Sequence, residues 1–278
     1  MLDLSDLPHA TWRLINTGVS DGATNMAIDE AIMQSVTEER SPPTLRFYAW
    51  DPPCVSVGYS QSVRGEVDLE RCRELGYTWV RRPTGGRAIL HIDELTYSVV
   101  APPGEARVAG DIVTSYRRLS LGLVEGLRAL HGGVVQADRM NADGGLDKSA
   151  ACFDVPSHYE VTAYGRKLVG SAQVRRKGMV LQHGALPLEG DVSRLVDVLA
   201  LSEADRGVLR GKLLERAIAL DEVVGRVVSF DEVAEALIGG FGRALNLELV
   251  PGELSAFERE AAEGLMSRYT GDEWTHVR

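Results

Sequence analysis

The chain has 278 residues, 44% of them hydrophobic and 25% charged, a balance that suits a globular protein with a substantial core. Its net charge of −10 argues against general nucleic-acid binding, which needs a basic footprint, and its apolar runs fall far short of a membrane span. Three cysteines, Cys54, Cys72 and Cys152, are too few and too scattered for a disulfide framework or a zinc site. The opening segment has neither a basic start nor an apolar signal core. A cytoplasmic, reduced protein with no structural metal is expected.

In chain order, residues 12–17 read as a strand and 22–36 as a helix. Met26, Ile28, Ala31, Ile32 and Val36 form the apolar face of that helix, and Asp29 and Glu30 are assigned to the outside. Strands are expected at 45–50 and 54–59, around Asp51-Pro52-Pro53. A short helix over 66–75 would end at Gly76. Strands at 77–82 and 87–91 would flank the turn Pro83-Thr84-Gly85-Gly86 as a hairpin, and 95–101 alternates as another strand. The longest helical pattern covers 112–130, with Asp111 as N-cap and Gly132 as stop. A short strand at 134–137 leads into a polar, glycine-bearing loop over 138–150. Strands resume at 159–163, 168–172 and 179–186, and from 191 onward the pattern is mainly helical. The fold class is α+β, with hairpin-rich mixed β-sheets flanked by helices.

Two basic clusters stand out. Arg81, Arg82 and Arg87 surround the Gly85-Gly86 pair; Arg166, Lys167, Arg175, Arg176 and Lys177 mark a second candidate hairpin. Together they suggest one electropositive face, suited to an anionic ligand or an acidic partner. Pro83 pushes Arg82 toward extended geometry. Gly85 and Gly86 can take positive φ and bring backbone N–H groups close to an oxygen-rich ligand. His91 ends the return strand and could face that ligand. The segment is neither a P-loop nor a dinucleotide fingerprint, and an ordinary hairpin with exposed arginines also fits it.

Cys152 lies where the chain turns, in Cys-Phe-Asp-Val-Pro-Ser, whereas Cys54 and Cys72 read as structural. Lys167 heads the strand returning from the Tyr164-Gly165-Arg166 turn. A thiol of ordinary pKa ~8.5 is mostly protonated at neutral pH, and a neighbouring ammonium lowers that value. A Cys152–Lys167 pair would therefore make an activated nucleophile for acyl transfer. Gly170, Ser171 and Ala172 would let a ligand lie close to the strand. His158 and His183 are weaker candidates, equally readable as surface or core histidines.

At RRPTGGRAILH and GRKLVGSAQ the sequence resembles the lipoate–protein ligase, octanoyltransferase and biotin ligase superfamily. The resemblance covers nearly the whole chain and includes ATNMAIDEAI, LRFYAWDPPCVSVGYSQ and SRYTGDEWT. In its length and its CFDVPS segment it is similar to the LipM-type octanoyltransferases. The resemblance implies a catalytic domain over 35–250, with 12–36 packed against it, and a C-terminal part, 191–278, either integral or a small cap. It implies that Cys152 takes octanoyl from acyl carrier protein as a thioester. The group then passes to a lysine of a lipoyl domain such as the glycine-cleavage H protein, in lipoate biosynthesis. Lys167 would hold the acyl carbonyl and lower the Cys152 pKa. Arg81, Arg82, Gly85, Gly86, Arg87, Ala88 and His91 would border the pocket, and the arginines would meet the carrier's phosphopantetheine arm or acidic surface. No ATP, metal or other cofactor is implied, nor any nucleic acid or membrane partner, and a monomer is expected. The competing readings are an ATP-dependent lipoate–protein ligase, an octanoyl-H-protein amidotransferase and a non-catalytic binding module.

Overall fold

The computed structural model describes residues 7–139 and 158–276. The chain runs β1 (Ala10–Ser20), α1 (Gly22–Thr37), β2 (Thr44–Trp50), β3 (Cys54–Val57) and two short helices, α2 (Val63–Glu66) and α3 (Leu69–Glu74). There follow β4 (Thr78–Arg81), β5 (Ile89–His91), β6 (Glu94–Ala101), α4 (Ile112–Leu130) and β7 (Val134–Arg139). After them come β8 (His158–Ala163), β9 (Arg166–Arg176) and β10 (Met179–Pro187), then α5 (Glu203–Arg216), α6 (Leu220–Val224) and α7 (Phe230–Leu245). β11 (Leu247–Pro251), α8 (Ala256–Thr270) and α9 (Asp272–Thr275) end the described chain. No helix among the described residues is long and apolar enough to cross a membrane.

Eight strands form one mixed sheet in the order β11-β1-β2-β6-β10-β9-β8-β7. β1 pairs in parallel with both β11 and β2, and the remaining neighbours are antiparallel. Strand side chains alternate between faces. On one face Leu45, Phe47, Tyr97, Val99, Val169 and Val180 bury against Leu119, Leu123, Leu127 of α4 and Leu237, Phe241 of α7. On the other face Ile15, Val100 and Leu181 bury against Ile28, Ile32 and Met33 of α1. A small sheet, β4-β3-β5, packs beside α1 through Cys54 and Val80. The layers are thus helices, main sheet, then α1 with the small sheet, a common way to bury both faces of a sheet.

Local chemistry accounts for the helix boundaries. Asp21 accepts from Thr24 N and Asp111 from Thr114 N, each satisfying an orphan amide of the first turn. Ser255 and Glu258 form a reciprocal capping box on α8.

The structure corrects three expectations. Residues 66–75 are not one helix: Val67 leaves to bridge Leu199, and Asp68 caps a fresh start at α3. Strands β4 and β5 are not a hairpin, because β3 lies between them, parallel to β4 and antiparallel to β5. Asp29 and Glu30 are buried rather than outside. The region after 191 is mainly helical, as expected, with one short strand, β11, and its residues Ile218, Leu220, Val233, Leu237 and Leu245 share the main core with α4.

Candidate active site

A narrow, mainly apolar cavity opens between the main sheet, the N-terminal half of α1 and the small sheet. Its wall combines Met26 of α1 with Tyr48, Trp50, Thr96, His183 and Ala185 of the main sheet. Ser56, Arg82, Ile89 and His91 come from the small sheet and the turn after it, and Gly170, Ser171 and Ala172 from β9.

The wall's polar atoms are turned onto one another. His91 Nδ1 lies 2.8 Å from Glu94 Oε1 and Nε2 lies 2.7 Å from Ser56 Oγ, while the ring stacks on Trp50 at 3.9 Å. Arg82 donates to the carbonyls of Ser56, Gly85 and Arg87 and to Ser56 Oγ. His183 Nδ1 lies 3.2 Å from Asp29 Oδ2, and Nε2 lies 2.7 Å from Thr84 Oγ1. Two carboxylate–histidine–hydroxyl chains result, one ending on Ser56 of β3 and the other on Thr84 of the turn. Each carboxylate fixes the histidine with its proton on Nδ1 and leaves Nε2 to accept from a hydroxyl.

Asp29 is the hub of the buried charge. It accepts from Arg46 Nη1 at 2.7 Å, Ser98 Oγ at 2.8 Å and Tyr48 Oη at 3.0 Å as well as from His183. Burial pushes its carboxyl up, but the Arg46 guanidinium and the His183 and Ser98 contacts outweigh this, and the net shift is downward. For His183 burial is the larger effect; it lowers the imidazole's pKa despite the opposing pull of Asp29.

Arg81 is fully buried and does not line the cavity. It donates to the carbonyls of Gly58, Tyr59, Gln61, Trp274 and Thr275, so it staples the loop after β3 to the last turn of the chain. Ala88 faces away, into a second core cluster with Val55, Val57 and Val198. Arg87 is half-buried, 3.5 Å from Glu66. Gly85 and Gly86 are exposed and outside the cavity wall, and Gly86 has φ +90°. The turn is built by close approach: a Cβ on Gly58 would lie 2.1 Å from Gly86 O. The single electropositive face expected from the two basic clusters does not form. Arg81 and Arg82 are buried on backbone carbonyls, Arg166 pairs with Glu222, and Arg175 is held by Val108 O, Asp111 O and Ser115 Oγ.

Lys167 is 3% exposed, its Nζ 3.0 Å from the buried Glu160 carboxylate. A register shift between Val161 and Thr162 places Thr162 opposite Lys167 and Val161 opposite Val169, so β9 carries one extra residue there. Such a bulge reverses the side-chain alternation. It sets Lys167 on the face of Gly170 and Ala172, which is the cavity face, while Val169 keeps to the α4 side. Cys152 lies outside the described residues, as does the side chain of His158. Burial pushes the Cys54 thiol up to about 12 and the Cys72 thiol up to about 11, so neither is a thiolate at neutral pH.

Glu94, Ser56, Thr84 and Asp29 were not singled out in the sequence. The signal for Asp29 was present: an Asp-Glu pair with apolar residues on every side of the helix, in MAIDEAIM.

The comparisons with known proteins agree with one another. The model of the lipoyl protein ligase A/B catalytic domain matches residues 21–242. The octanoyltransferase LipM of Kyrpidia tusciae is 48% identical over 96% of this chain and 98% of its own. That of Bacillus subtilis is 38% identical over 96% and 99%. Among solved structures, one from an archaeal lipoylation system of Thermoplasma acidophilum, a bipartite lipoate protein ligase with its E2 lipoyl domain, superposes with a TM-score of 0.79. It is 29% identical and covers 96% of this chain and 97% of that one. A lipoate-protein ligase A bound with ATP gives a TM-score of 0.76 at 28% identity, over 97% of this chain and 99% of that one. The chain belongs to the lipoyl protein ligase A/B catalytic-domain family.

Proposed function

We propose that this chain is an octanoyltransferase acting in lipoate biosynthesis, moving octanoyl from acyl carrier protein through a Cys152 thioester to a lipoyl-domain lysine. The observation that carries the reading is identity of 37–48%, over nearly the full length, to relatives named octanoyltransferase LipM. The cavity supports it: its polar atoms satisfy each other, which leaves carbon to face an acyl chain.

In this reading the Cys152 thiolate attacks the thioester carbonyl carbon of the donor, and the carrier thiolate leaves with the proton Cys152 gave up. The acceptor's ε-amine, once deprotonated, attacks the same carbon; an amide forms and Cys152 departs as thiol. Thioester exchange is nearly balanced and amide formation is downhill, so no ATP is consumed. Lys167 contributes a cation held by Glu160 on the cavity face, suited to the developing oxyanion and to lowering a neighbouring thiol's pKa. The glycine-cleavage H protein is the proposed acceptor and the working unit a monomer.

A second reading, ATP-dependent lipoate ligation, is favoured by likeness to the solved ligases. Intact-protein mass separates the two. Octanoyl-acyl carrier protein, without ATP or acceptor, should add one octanoyl group to the wild type and none to Cys152→Ser. No adduct, with acceptor modified only when lipoate and ATP are supplied, would refute the transferase.

A further inference from the structure

The strand register aligns four cavity residues in one row perpendicular to the strands. Gly170 of β9 is opposite Ala185 of β10, Ala185 opposite Thr96 of β6, and Thr96 opposite Tyr48 of β2. All four belong to the cavity wall. Side-chain size climbs along this row from hydrogen to methyl to a branched three-atom group to a phenol. The floor is therefore a ramp, low at β9 and blocked at β2. Lys167 is on the same face of β9, three residues before Gly170 and so displaced along the strand from the row's low end.

The block is rigid. Trp50 Nε1 donates to Thr96 Oγ1 at 2.8 Å, and the Tyr48 hydroxyl donates to Asp29 at 3.0 Å. The Arg46 guanidinium stacks on the Tyr48 ring at 3.8 Å and the His91 ring on Trp50 at 3.9 Å. Each aromatic is thus held both at its polar end and across its face. Met26 closes the remaining side, packed on Tyr48 and Trp50 and 1% exposed; its thioether side chain is the pliable part of the wall.

We propose that this ramp is an acyl-length ruler: Ala185 sets the depth of its middle and Met26, against Tyr48 and Trp50, its end. The proposal rests on the acyl-transfer reading above and adds to it the residues that select the chain. Neighbouring strands are ~4.8 Å apart, so Gly170 to Thr96 spans roughly 9–10 Å, about the length of an extended eight-carbon acyl chain. A longer chain must displace pinned aromatics; a shorter one leaves the end of the cavity unfilled.

The test uses two variants that push in opposite directions. Calorimetric Kd values would be measured for hexanoate, octanoate and decanoate on the full chain and on Ala185→Leu and Met26→Ala. Wild type should prefer octanoate. Ala185→Leu should weaken octanoate about 10- to 100-fold and hexanoate, which ends nearer the filled position, by a smaller factor, so that the hexanoate-to-octanoate preference rises. Met26→Ala should improve decanoate relative to octanoate by about tenfold, the scale of two methylenes newly accommodated. A variant that merely loosened the fold would weaken all three acids in parallel, and that result, or unmoved ratios, would overturn the ruler. Transfer from C6, C8 and C10 acyl carrier thioesters is measured alongside. Acids ranked as stated with no transfer in the absence of ATP would sink the transferase reading and leave the ruler standing.

Discussion

Replacing Arg46 by methionine tests the buried charge cluster beneath the cavity. Arg46 and Asp29 are both fully buried, 2.7 Å apart, and Arg46 also reaches Thr17 Oγ1 and Asn25 O and Oδ1. Methionine keeps much of the volume but leaves the Asp29 carboxylate without its guanidinium. Removing one partner of a buried pair costs about 3–5 kcal/mol, because the remaining charge is desolvated and uncompensated. At roughly 2–4 °C per kcal/mol, the midpoint of thermal unfolding should drop by about 6–20 °C at pH 7. The pH dependence should also change sign. In the wild type Asp29 is held below its ordinary 3.8, so its contribution is present above that value and is lost only as the pH falls through the lower folded value. Without Arg46, burial dominates and raises the carboxyl, so the variant's deficit should shrink as the pH is lowered through the raised value. The assay is urea unfolding across pH 4–8, with the double variant Arg46→Met/Asp29→Asn closing the cycle. A loss below about 1 kcal/mol, or a double variant no more stable than Arg46→Met alone, would refute the argument.

Two further outcomes are expected. Burial, with Arg82 and His91 nearby, holds His183 below its ordinary 6.5 against the opposing pull of Asp29, so the unfolded chain takes up a proton that the folded one refuses. Stability should fall as the pH drops from 6.5 toward the depressed folded value, by at most ~1.4 kcal/mol per pH unit. His183→Gln should flatten that part of the slope in urea titrations; an unchanged slope would assign it to other groups. Gly58→Ala should cost about 1–3 kcal/mol by overpacking, because the new Cβ meets the Gly86 carbonyl, which is backbone and cannot swing aside. Gly85→Ala, which meets nothing within 4 Å, is the matched control in thermal melts and acyl-enzyme formation.

Periodicity revealed α1 and α4, and alternation revealed most strands, because one face of each is apolar and the other is not. It failed where the solvent rule fails. Asp29 and Glu30 look like the wet side of a helix, yet Asp29 meets Arg46 and Glu30 meets Arg268 and Tyr269 from segments far along the chain. Arg81 and Arg82 look like surface charge, but their guanidinium groups satisfy loop carbonyls, and composition cannot distinguish the two uses. The hairpin assigned to 77–91 failed for a topological reason: β3, more than twenty residues upstream of the first turn residue, inserts between the two strands. At the cavity, His91, Arg82 and the Gly170-Ser171-Ala172 run were legible because the motif brings functional types together in sequence. Glu94, Ser56, Thr84 and Asp29 were not, since each is an ordinary polar residue until the fold places it beside a histidine.

The pairing of β1 with β11 has a consequence for how the chain is made. Partners in this ladder are 237 positions apart, as with Thr11 and Glu248. At roughly 5–20 residues per second on the ribosome, β1 waits on the order of 10–50 s for its outer neighbour. Through that interval the outer edge of β1, the strand that carries Trp12 and Ile15, presents unpaired amides and carbonyls. Nascent chains stalled before Leu247 should therefore be the aggregation-prone species, and β11, only five residues long and ending in Pro251, is the cover that removes the hazard.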